Sequence, residues 1–405
     1  MSTKTKKILG IMAFVLLVAA GAFAYWWFFR SSPDVARTDT GAGFPTSEDT
    51  GGFEGLDAGS ESTGNFGTGE QQLPRLRQLT ETPVAGAVIF SREGKVLVRY
   101  AERGTGHLFE ISADEASARR ISNQTIPEIG EALWKPDGSG VLVRYAKKAA
   151  GSEYIESFFA NVRADAQEGE PLRASFLPRN IRTIAFSPTG NTLFYLSENA
   201  NGATGILAAS DGTKKSTLFE LALKDLTANW SVNDSIFLTT RASAGIAGHI
   251  FSVGTQGGVL AVVASDTGLT ALPSRGGTLL LTGTSGEGTA SLSVFNRAQA
   301  AITPLGITTV ADKCVWGKKT RTTAYCAVPD EVTGNFPDNW YQGTLQTMDS
   351  IWTIDAEDGR ADTVVNLSDE SRTDIDAFNF DISPDDKYLL FQNKNDLTLW
   401  LLRLE

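Results

Sequence analysis

Apolar and polar residues alternate in short runs along most of the chain, from Leu73 to its last residue. Each run spans about five to seven residues, and Gly, Pro, Asp or Asn separate one run from the next. Such alternation is typical of strands with one buried face, and the separating residues favour turns. No apolar pattern with the helical period of about 3.6 residues persists in this region. The pattern therefore predicts an all-β fold.

Seven copies of one hairpin signature run through this region. Each copy begins with an aromatic or aliphatic anchor, and in six of the seven an apolar residue stands seven positions later. Consecutive anchors are 44, 52, 44, 42, 44 and 66 residues apart. Further strand-like runs follow the hairpins, and four strands in a period of about 45 residues are typical of a β-propeller blade. The anchors are Phe90, Trp134, Phe186, Trp230, Leu272, Trp316 and Ile382.

The two ends of the repeat region predict how the propeller closes. The seventh copy stops at Glu405 after three strands, whereas residues 74–83 look like a fourth strand without its first three. We predict that this N-terminal strand completes the last of seven blades in a domain of residues 73–405, which removes an exposed sheet edge. A solenoid would lack this closure and would need capping repeats. Two β-sandwiches would not need the same signature seven times.

The N-terminus has a different pattern, which predicts a membrane anchor. Residues 1–7 carry three lysines and no acid, and residues 8–29 form 22 positions without a charge. A helix of that length covers about 33 Å, enough to cross a hydrocarbon core of about 30 Å. Because lysines favour the cytoplasmic side, we predict a single-pass plasma-membrane protein whose later residues lie outside the cytoplasm. The lysines are Lys4, Lys6 and Lys7.

Aromatic residues at the end of this span favour an anchor that is not cleaved, since their rings prefer the headgroup boundary. Residues 22–24 (Ala-Phe-Ala) also fit a cleavage site, but a signal peptide has a shorter apolar region of about 7–15 residues. Residues 30–72 are rich in Gly, Ser, Thr, Asp and Glu, and we predict a disordered tether because they cannot bury enough apolar surface. The predicted interfacial residues are Tyr25, Trp26, Trp27 and Arg30.

Three segments of the repeat carry motifs of a known family. SPTG begins at Ser187, SPDD begins at Ser383, and an IWTID strand begins at Ile351. These segments resemble the TolB-like, or WD40-like, β-propeller repeats of bacterial envelope proteins, and the resemblance covers about residues 73–405. It implies a propeller that interacts with other proteins. The chain differs from the protein that gives the family its name, which has six blades, a separate N-terminal α/β domain and a soluble periplasmic form.

The longest departure from the repeat lies in blade six, where residues 328–348 separate the second and third strands. In propellers this connection opens on the face that also carries the loops between blades, where ligands usually bind. Aromatic residues beside acids suit a protein or glycan contact there, because Trp and Tyr anchor interfaces. The alternative is that the insert folds back over the propeller and buries its rings. The candidate binding residues are Phe336, Asp338, Trp340 and Tyr341.

The two cysteines, Cys314 and Cys326, stand symmetrically about the centre of one hairpin turn, at Thr320. If the hairpin keeps this register, the cysteines face each other across antiparallel strands at a separation that suits a disulfide. Export from the cytoplasm would permit oxidation. The alternative is a pair of buried free thiols. Two cysteines also exclude a disulfide-dense scaffold and a four-cysteine zinc site.

The net charge and the absence of known catalytic and ligand-binding motifs reduce the number of possible functions. With 47 acidic and 36 basic residues the net charge is −11, which disfavours nucleic acid as a partner. The sequence lacks a GxSxG nucleophile elbow, a phosphate loop and an EF-hand loop, so we predict no catalytic residue, metal or cofactor. We predict a non-enzymatic module that binds a protein or another envelope component. The alternatives are an envelope hydrolase that uses carboxylates at the propeller channel, and a structural subunit of an envelope assembly.

Overall fold

The alternating runs form strands that pair into seven antiparallel sheets of four strands each. The structure is a computed structural model that describes residues 73–405 except 123, 150–151, 167–171 and 287. The predicted cytoplasmic tip (1–7), membrane span (8–29) and linker (30–72) lie outside the described residues, so they stay predictions. Within the described part of the chain, no helix is long and apolar enough to cross a membrane.

Three blades follow one another from the N-terminal side of the domain, each with its innermost strand first in sequence. Blade 1 consists of β2 to β5, blade 2 of β6 to β9 and blade 3 of β10 to β13. The strands are β1 (Leu76–Gln78), β2 (Val84–Arg92), β3 (Lys95–Glu102), β4 (Leu108–Ser112), β5 (Arg119–Ser122), β6 (Glu131–Trp134), β7 (Gly140–Ala149), β8 (Ser152–Asn161), β9 (Ala174–Phe176), β10 (Thr183–Phe186), β11 (Thr192–Asn199), β12 (Gly202–Ala209) and β13 (Ser216–Leu221).

Four further blades complete the ring. Blade 4 consists of β14 to β17, blade 5 of β18 to β21, blade 6 of β22 to β25, and blade 7 of β26 to β28 together with β1. The strands are β14 (Leu226–Val232), β15 (Ser235–Thr240), β16 (Ala247–Gly254), β17 (Ala261–Thr267), β18 (Thr270–Pro273), β19 (Leu279–Gly286), β20 (Thr289–Asn296), β21 (Ala301–Pro304), β22 (Cys314–Trp316), β23 (Thr323–Pro329), β24 (Asp349–Asp355), β25 (Arg360–Asn366), β26 (Ala377–Ile382), β27 (Tyr388–Asn393) and β28 (Leu399–Arg403). The helical segments are a 3₁₀ turn (Ala311–Lys313), α1 (Asp338–Tyr341) and α2 (Leu367–Ser371).

Strand β1 closes the ring by pairing with β28, the last strand of the chain. The pairing is antiparallel and sets Leu76 opposite Leu402. The side chain of Leu76 is 6% exposed and packs in the same core cluster as Trp400 and Leu402. The prediction of an all-β, seven-bladed propeller closed by an N-terminal strand is therefore confirmed.

The repeated anchors explain why neighbouring blades pack together. Six of the seven anchors are buried, and two of their tryptophans reach back to the innermost strand of the preceding blade. Trp134 Nε1 donates a hydrogen bond to the Gly86 carbonyl at 3.1 Å, and Trp316 Nε1 donates one to the Leu272 carbonyl at 2.9 Å. The turn glycine of blade 2, Gly138, has a φ of 70° and leaves no room for a Cβ against the Phe90 ring. Each repeat signature thus encodes a contact between blades.

The connections divide the propeller into two faces. The hairpin face carries the turns between the first and second strands of the blades, and the insert face carries the connections between second and third strands and between blades. The insert, residues 330–348, joins β23 to β24 and contains α1. On β22 and β23 of the same blade, Cys314 lies opposite Cys326, and a disulfide joins them. The symmetric spacing of the two cysteines about Thr320 predicted this pairing.

Leu76→Ala tests the closure. It should lower the free energy of unfolding by about 2–4 kcal/mol, because it leaves a cavity where β1 packs against β28. Ile302→Ala is the matched control, since Ile302 lies in the outermost strand of blade 5 and is 63% exposed. That change should cost less than about 0.5 kcal/mol. Chemical denaturation of the full chain measures both values, and equal losses would contradict the role of β1.

Candidate functional site

The insert folds back over the insert face and buries two of the four predicted binding residues. Phe336 is 0% exposed and Trp340 is 4% exposed, and both pack in one cluster with Ala290 of blade 5 and with Val310. Tyr341, at the end of α1, is 38% exposed. Phe336 and Trp340 are therefore placed to shape the insert, whereas Tyr341 is accessible to a ligand. The binding role of the four residues stays a prediction.

The fourth predicted residue, Asp338, ties the insert to blade 4. One carboxylate oxygen of Asp338 accepts a hydrogen bond from the Ser243 hydroxyl at 2.6 Å, and the other accepts one from the Ala244 backbone N–H at 2.6 Å. Both donors lie in the connection between β15 and β16. The insert therefore leaves blade 6 and is held on blade 4, on the far side of blade 5.

A buried charge cluster lies under the insert, and we call Lys313, Thr347, Asp349 and Asp376 the lysine cluster. Lys313 Nζ lies 2.6 Å from Asp376 Oδ1, 2.8 Å from Asp349 Oδ2 and 2.9 Å from Thr347 Oγ1. The charged side chains are 0% exposed. Trp340 Nε1 donates to Asp376 Oδ1 at 2.9 Å, and the Lys313 ammonium lies 4.8 Å from the centre of the Trp340 ring. The cluster thus joins the insert to the strands of blades 6 and 7.

The lysine cluster sets one cation against two carboxylates. Burial raises the pKa of Asp349 above its usual range, and the neighbouring Lys313 ammonium opposes that rise. Asp349 Oδ2 also accepts the Ala377 N–H at 2.7 Å, whereas Asp349 Oδ1 has no hydrogen-bond partner among the described residues. Removal of a partner from a buried ion pair is costly because the remaining charge cannot be hydrated. The position of the insert therefore depends on Lys313.

A cavity of about 280 Å³, the tyrosine cavity, opens beside α1 on the insert face. The Tyr341 hydroxyl donates to Asp312 Oδ2 at its edge. Asp312 is exposed on the cavity side; desolvation by the protein atoms around its carboxyl raises its pKa, and the Tyr341 hydrogen bond opposes that rise. Burial and the Asp312 charge hold the pKa of Tyr341 well above its usual value. The remaining wall is formed by four threonines and three apolar residues: Thr227, Thr239, Thr240, Thr270, Ala242, Leu269 and Ala271.

Arg241 supplies the positive charge of the tyrosine cavity. It lines the wall and acts electrostatically on Tyr341. Within the described residues its guanidinium makes no hydrogen bond and no ion pair. A guanidinium fork binds carboxylates and other oxyanions well, while Asp312 can accept hydrogen bonds from hydroxyl or amide groups. The cavity can therefore hold a ligand that carries both an acidic group and hydrogen-bond donors.

Sequence reasoning identified Tyr341 but missed its partners. Asp312 and Arg241 stand alone in connections and belong to no motif. Lys313 offered one weak signal, a charged residue directly before the innermost strand of a blade. A group of three or more residues able to bind a metal does not occur in the described part of the chain. The prediction that no metal or cofactor is bound stays a prediction.

Comparisons with known proteins show a shared fold. No family model matches the chain, and no curated protein matches it in sequence. An oligogalacturonate lyase in complex with manganese matches with a TM-score of 0.53 at 11% identity, over 82% of this chain and 93% of the lyase. The β-propeller domain of the Trilobed protease from Pyrococcus furiosus, which has an open velcro topology, matches with a TM-score of 0.50 at 12% identity. The match covers 80% of this chain and 97% of that domain. A xyloglucanase from Xanthomonas campestris matches with a TM-score of 0.52 at 12% identity, over 82% of this chain and 54% of the enzyme.

These likenesses correct one prediction. The expectation of a non-enzymatic protein is contradicted, because structures of this fold include enzymes such as the lyase and the xyloglucanase. At identities of 11% and 12% the likeness shows the fold alone and transfers no activity to this chain. The propeller architecture gives no ground for excluding catalysis, so the chemistry depends on the side chains of the site.

Lys313→Met tests the lysine cluster. It should lower the free energy of unfolding by about 3–5 kcal/mol at neutral pH, because two buried carboxylates lose their counterion. The raised pKa means that Asp349 holds its proton more tightly in the folded protein than in the unfolded chain. Protonation of Asp349 therefore stabilises the fold in acid, and this stabilisation is lost as the pH rises. The deficit of the variant should therefore shrink as the pH falls toward about 4.

Chemical denaturation across this pH range measures the deficit. Lys319→Met is the control, because Lys319 is exposed on the hairpin face. Its effect should stay below about 0.5 kcal/mol at each pH. A deficit for Lys313→Met that is equally small, or that does not change with pH, would contradict the role of the cluster.

Proposed function

We propose that the chain is a membrane-anchored, extracytoplasmic binding module whose insert face captures a protein or another envelope component. The observation that carries this proposal is the set of accessible side chains in the tyrosine cavity and in the β15–β16 connection beside it. Arg241 has no partner within the described residues, Tyr341 is 38% exposed, and Ile246, in the same connection as Arg241, is 62% exposed. Arginine and tyrosine are enriched at the energetic centres of interfaces, where an exposed aliphatic residue adds contact area.

The cavity indicates what such a partner would present. An acidic side chain or a chain terminus would pair with Arg241, and a hydroxyl or amide group would donate to Asp312. Thr227, which is exposed and also lines the cavity, offers a further hydroxyl to such a partner. We therefore propose that the partner inserts a short polar segment with one negative charge.

The N-terminal sequence supports the membrane anchor and the tether of this proposal. Three lysines, a 22-residue uncharged run and a polar segment of about 42 residues support this part of the proposal. The SPTG and SPDD hairpins support membership of the TolB-like repeat family. Among the described residues, other exposed apolar side chains lie on different blades, as at Phe176 of blade 2, Val262 of blade 4 and Ile302 of blade 5. No observation favours a purely structural subunit, which would need a contiguous apolar patch.

A second candidate function is hydrolysis of an envelope glycan or peptide in the same cavity. The observation in its favour is Asp312, a carboxyl with a raised pKa beside a tyrosine and a free guanidinium. A carboxyl that holds its proton more tightly can donate it to a leaving group, and perturbed carboxyls in clefts are candidates for this role. Arg241 would stabilise negative charge that develops on the substrate.

Arg241→Glu tests the binding proposal. In affinity capture from source membranes with the full chain, the partner recovered by the wild type should fall about tenfold or more, because like charges would face each other. Lys319→Glu makes the same charge change on the hairpin face and should leave recovery unchanged. Equal recovery with Arg241→Glu and the wild type would place the interface elsewhere and contradict the proposal.

Asp312→Asn tests the second candidate. If Asp312 is a proton donor, release of fragments from purified envelope glycan or peptide should fall by about 10²–10⁴-fold, since an amide cannot donate in its place. Mass spectrometry of the soluble products measures this release. Asp396→Asn, a change in an exposed turn of blade 7, serves as the control. Release that persists in Asp312→Asn, or that is absent from the wild type, would reject this function.

A further inference from the structure

A second cavity, the arginine cavity, lies in the channel at the hairpin face, opposite the proposed partner site. Its volume is about 320 Å³. Strands β2, β6 and β26 form one side of it, and the first turns of blades 5 and 6 form the other. Because these elements belong to five blades, the cavity occupies the axis of the ring. Volumes of this size lie at the lower end of the range for small-molecule sites.

Most charges around the arginine cavity are already paired. Lys318 Nζ lies 2.7 Å from Asp381 Oδ1 and donates to the Ile89 carbonyl at 3.2 Å. Asp381 Oδ2 accepts the Ile89 N–H at 3.0 Å. Glu131 is paired with Arg144. These groups have their partners within the protein and leave no charge for a ligand to balance.

Arg275 is the exception. It lines the cavity from the turn between β18 and β19 and is only partly exposed. Among the described residues its guanidinium makes no hydrogen bond and no ion pair. Burial and the like charge of Arg321 lower the pKa of Arg275, while the charges of Asp381 and Asp386 oppose that change. A cation that has lost part of its hydration without gaining a partner is unfavourable unless an anion binds beside it.

We propose that Arg275 binds the carboxylate of a small organic ligand, or of a peptide chain end, in the arginine cavity. A guanidinium fork matches a carboxylate with two parallel hydrogen bonds. Because one positive charge on the cavity wall lacks a partner among the described residues, the site favours a monoanion. The rest of the wall is largely apolar, with Ala87, Leu133 and Phe380, and suits a compact aliphatic body. The site does not depend on the partner proposed for the insert face.

Ligand-observed NMR on the purified full chain tests this site with isobutyrate as the probe. Isobutyramide has the same shape but no charge, so its Kd should be higher than that of isobutyrate by about tenfold or more. Arg275→Gln should raise the Kd for isobutyrate by about tenfold or more, and Arg275→Lys should raise it less. Arg372→Gln removes an exposed arginine that lines neither cavity and should leave the Kd unchanged.

Trialanine with a free or an amidated C-terminus distinguishes the two sources of the carboxylate. Tighter binding of the free tripeptide than of isobutyrate would support the site and assign a chain end, and the reverse order would support it and assign a small acid. Equal Kd values for isobutyrate in the wild type and in a folded Arg275→Gln variant would overturn the proposal. Should Arg275→Gln not fold, equal binding of isobutyrate and isobutyramide to the wild type would overturn it as well.

Discussion

The structure depends on the pairing of β1 with β28, which closes the ring of blades by joining the first strand of the domain to the last. A propeller of open sheets has two free edges until its last blade is completed, and unpaired backbone groups on such edges favour aggregation. Three residues of β1 satisfy the edge of β28 and bury Leu76 against Leu402 and Trp400. Closure fixes the innermost strands around one axis. The positions of both channel cavities follow from it.

The insert is a second level of organisation built on that ring. Its residues come from blade 6, but Asp338 is held by blade 4, and Trp340 donates to Asp376, next to the innermost strand of blade 7. The buried Lys313 joins these parts because it lies between Asp349 and Asp376. A buried ion pair often adds little net stability compared with apolar packing, but an arrangement that leaves one of its charges unpaired is costly. We infer that the lysine cluster sets where Tyr341 stands relative to Asp312 and Arg241.

The predictable parts of this protein are those with local, repeated signals. Apolar residues that alternate with a period of two residues allowed the strands to be predicted. Anchors such as Trp134 and Trp316 recur because each blade needs the same contact with the previous one. The insert has no period, so its sequence could not decide between exposed and buried rings. Lys313 and Asp376 are 63 positions apart, and Arg275 stands singly in a turn. Packing between neighbouring blades brings Lys313 to Asp376, and no sequence motif marks that contact.

Hydrogen–deuterium exchange of the full chain tests most directly whether the insert is a fixed part of the insert face. The amides of Tyr341, Gln342 and Leu345 donate to carbonyls within the insert, and that of Asp349 donates to the Ile375 carbonyl. These amides should exchange as slowly as those of β23, because opening them requires breaking the lysine cluster. Exchange as fast as that of a solvated loop would contradict the account, since the tyrosine cavity would then have no fixed wall.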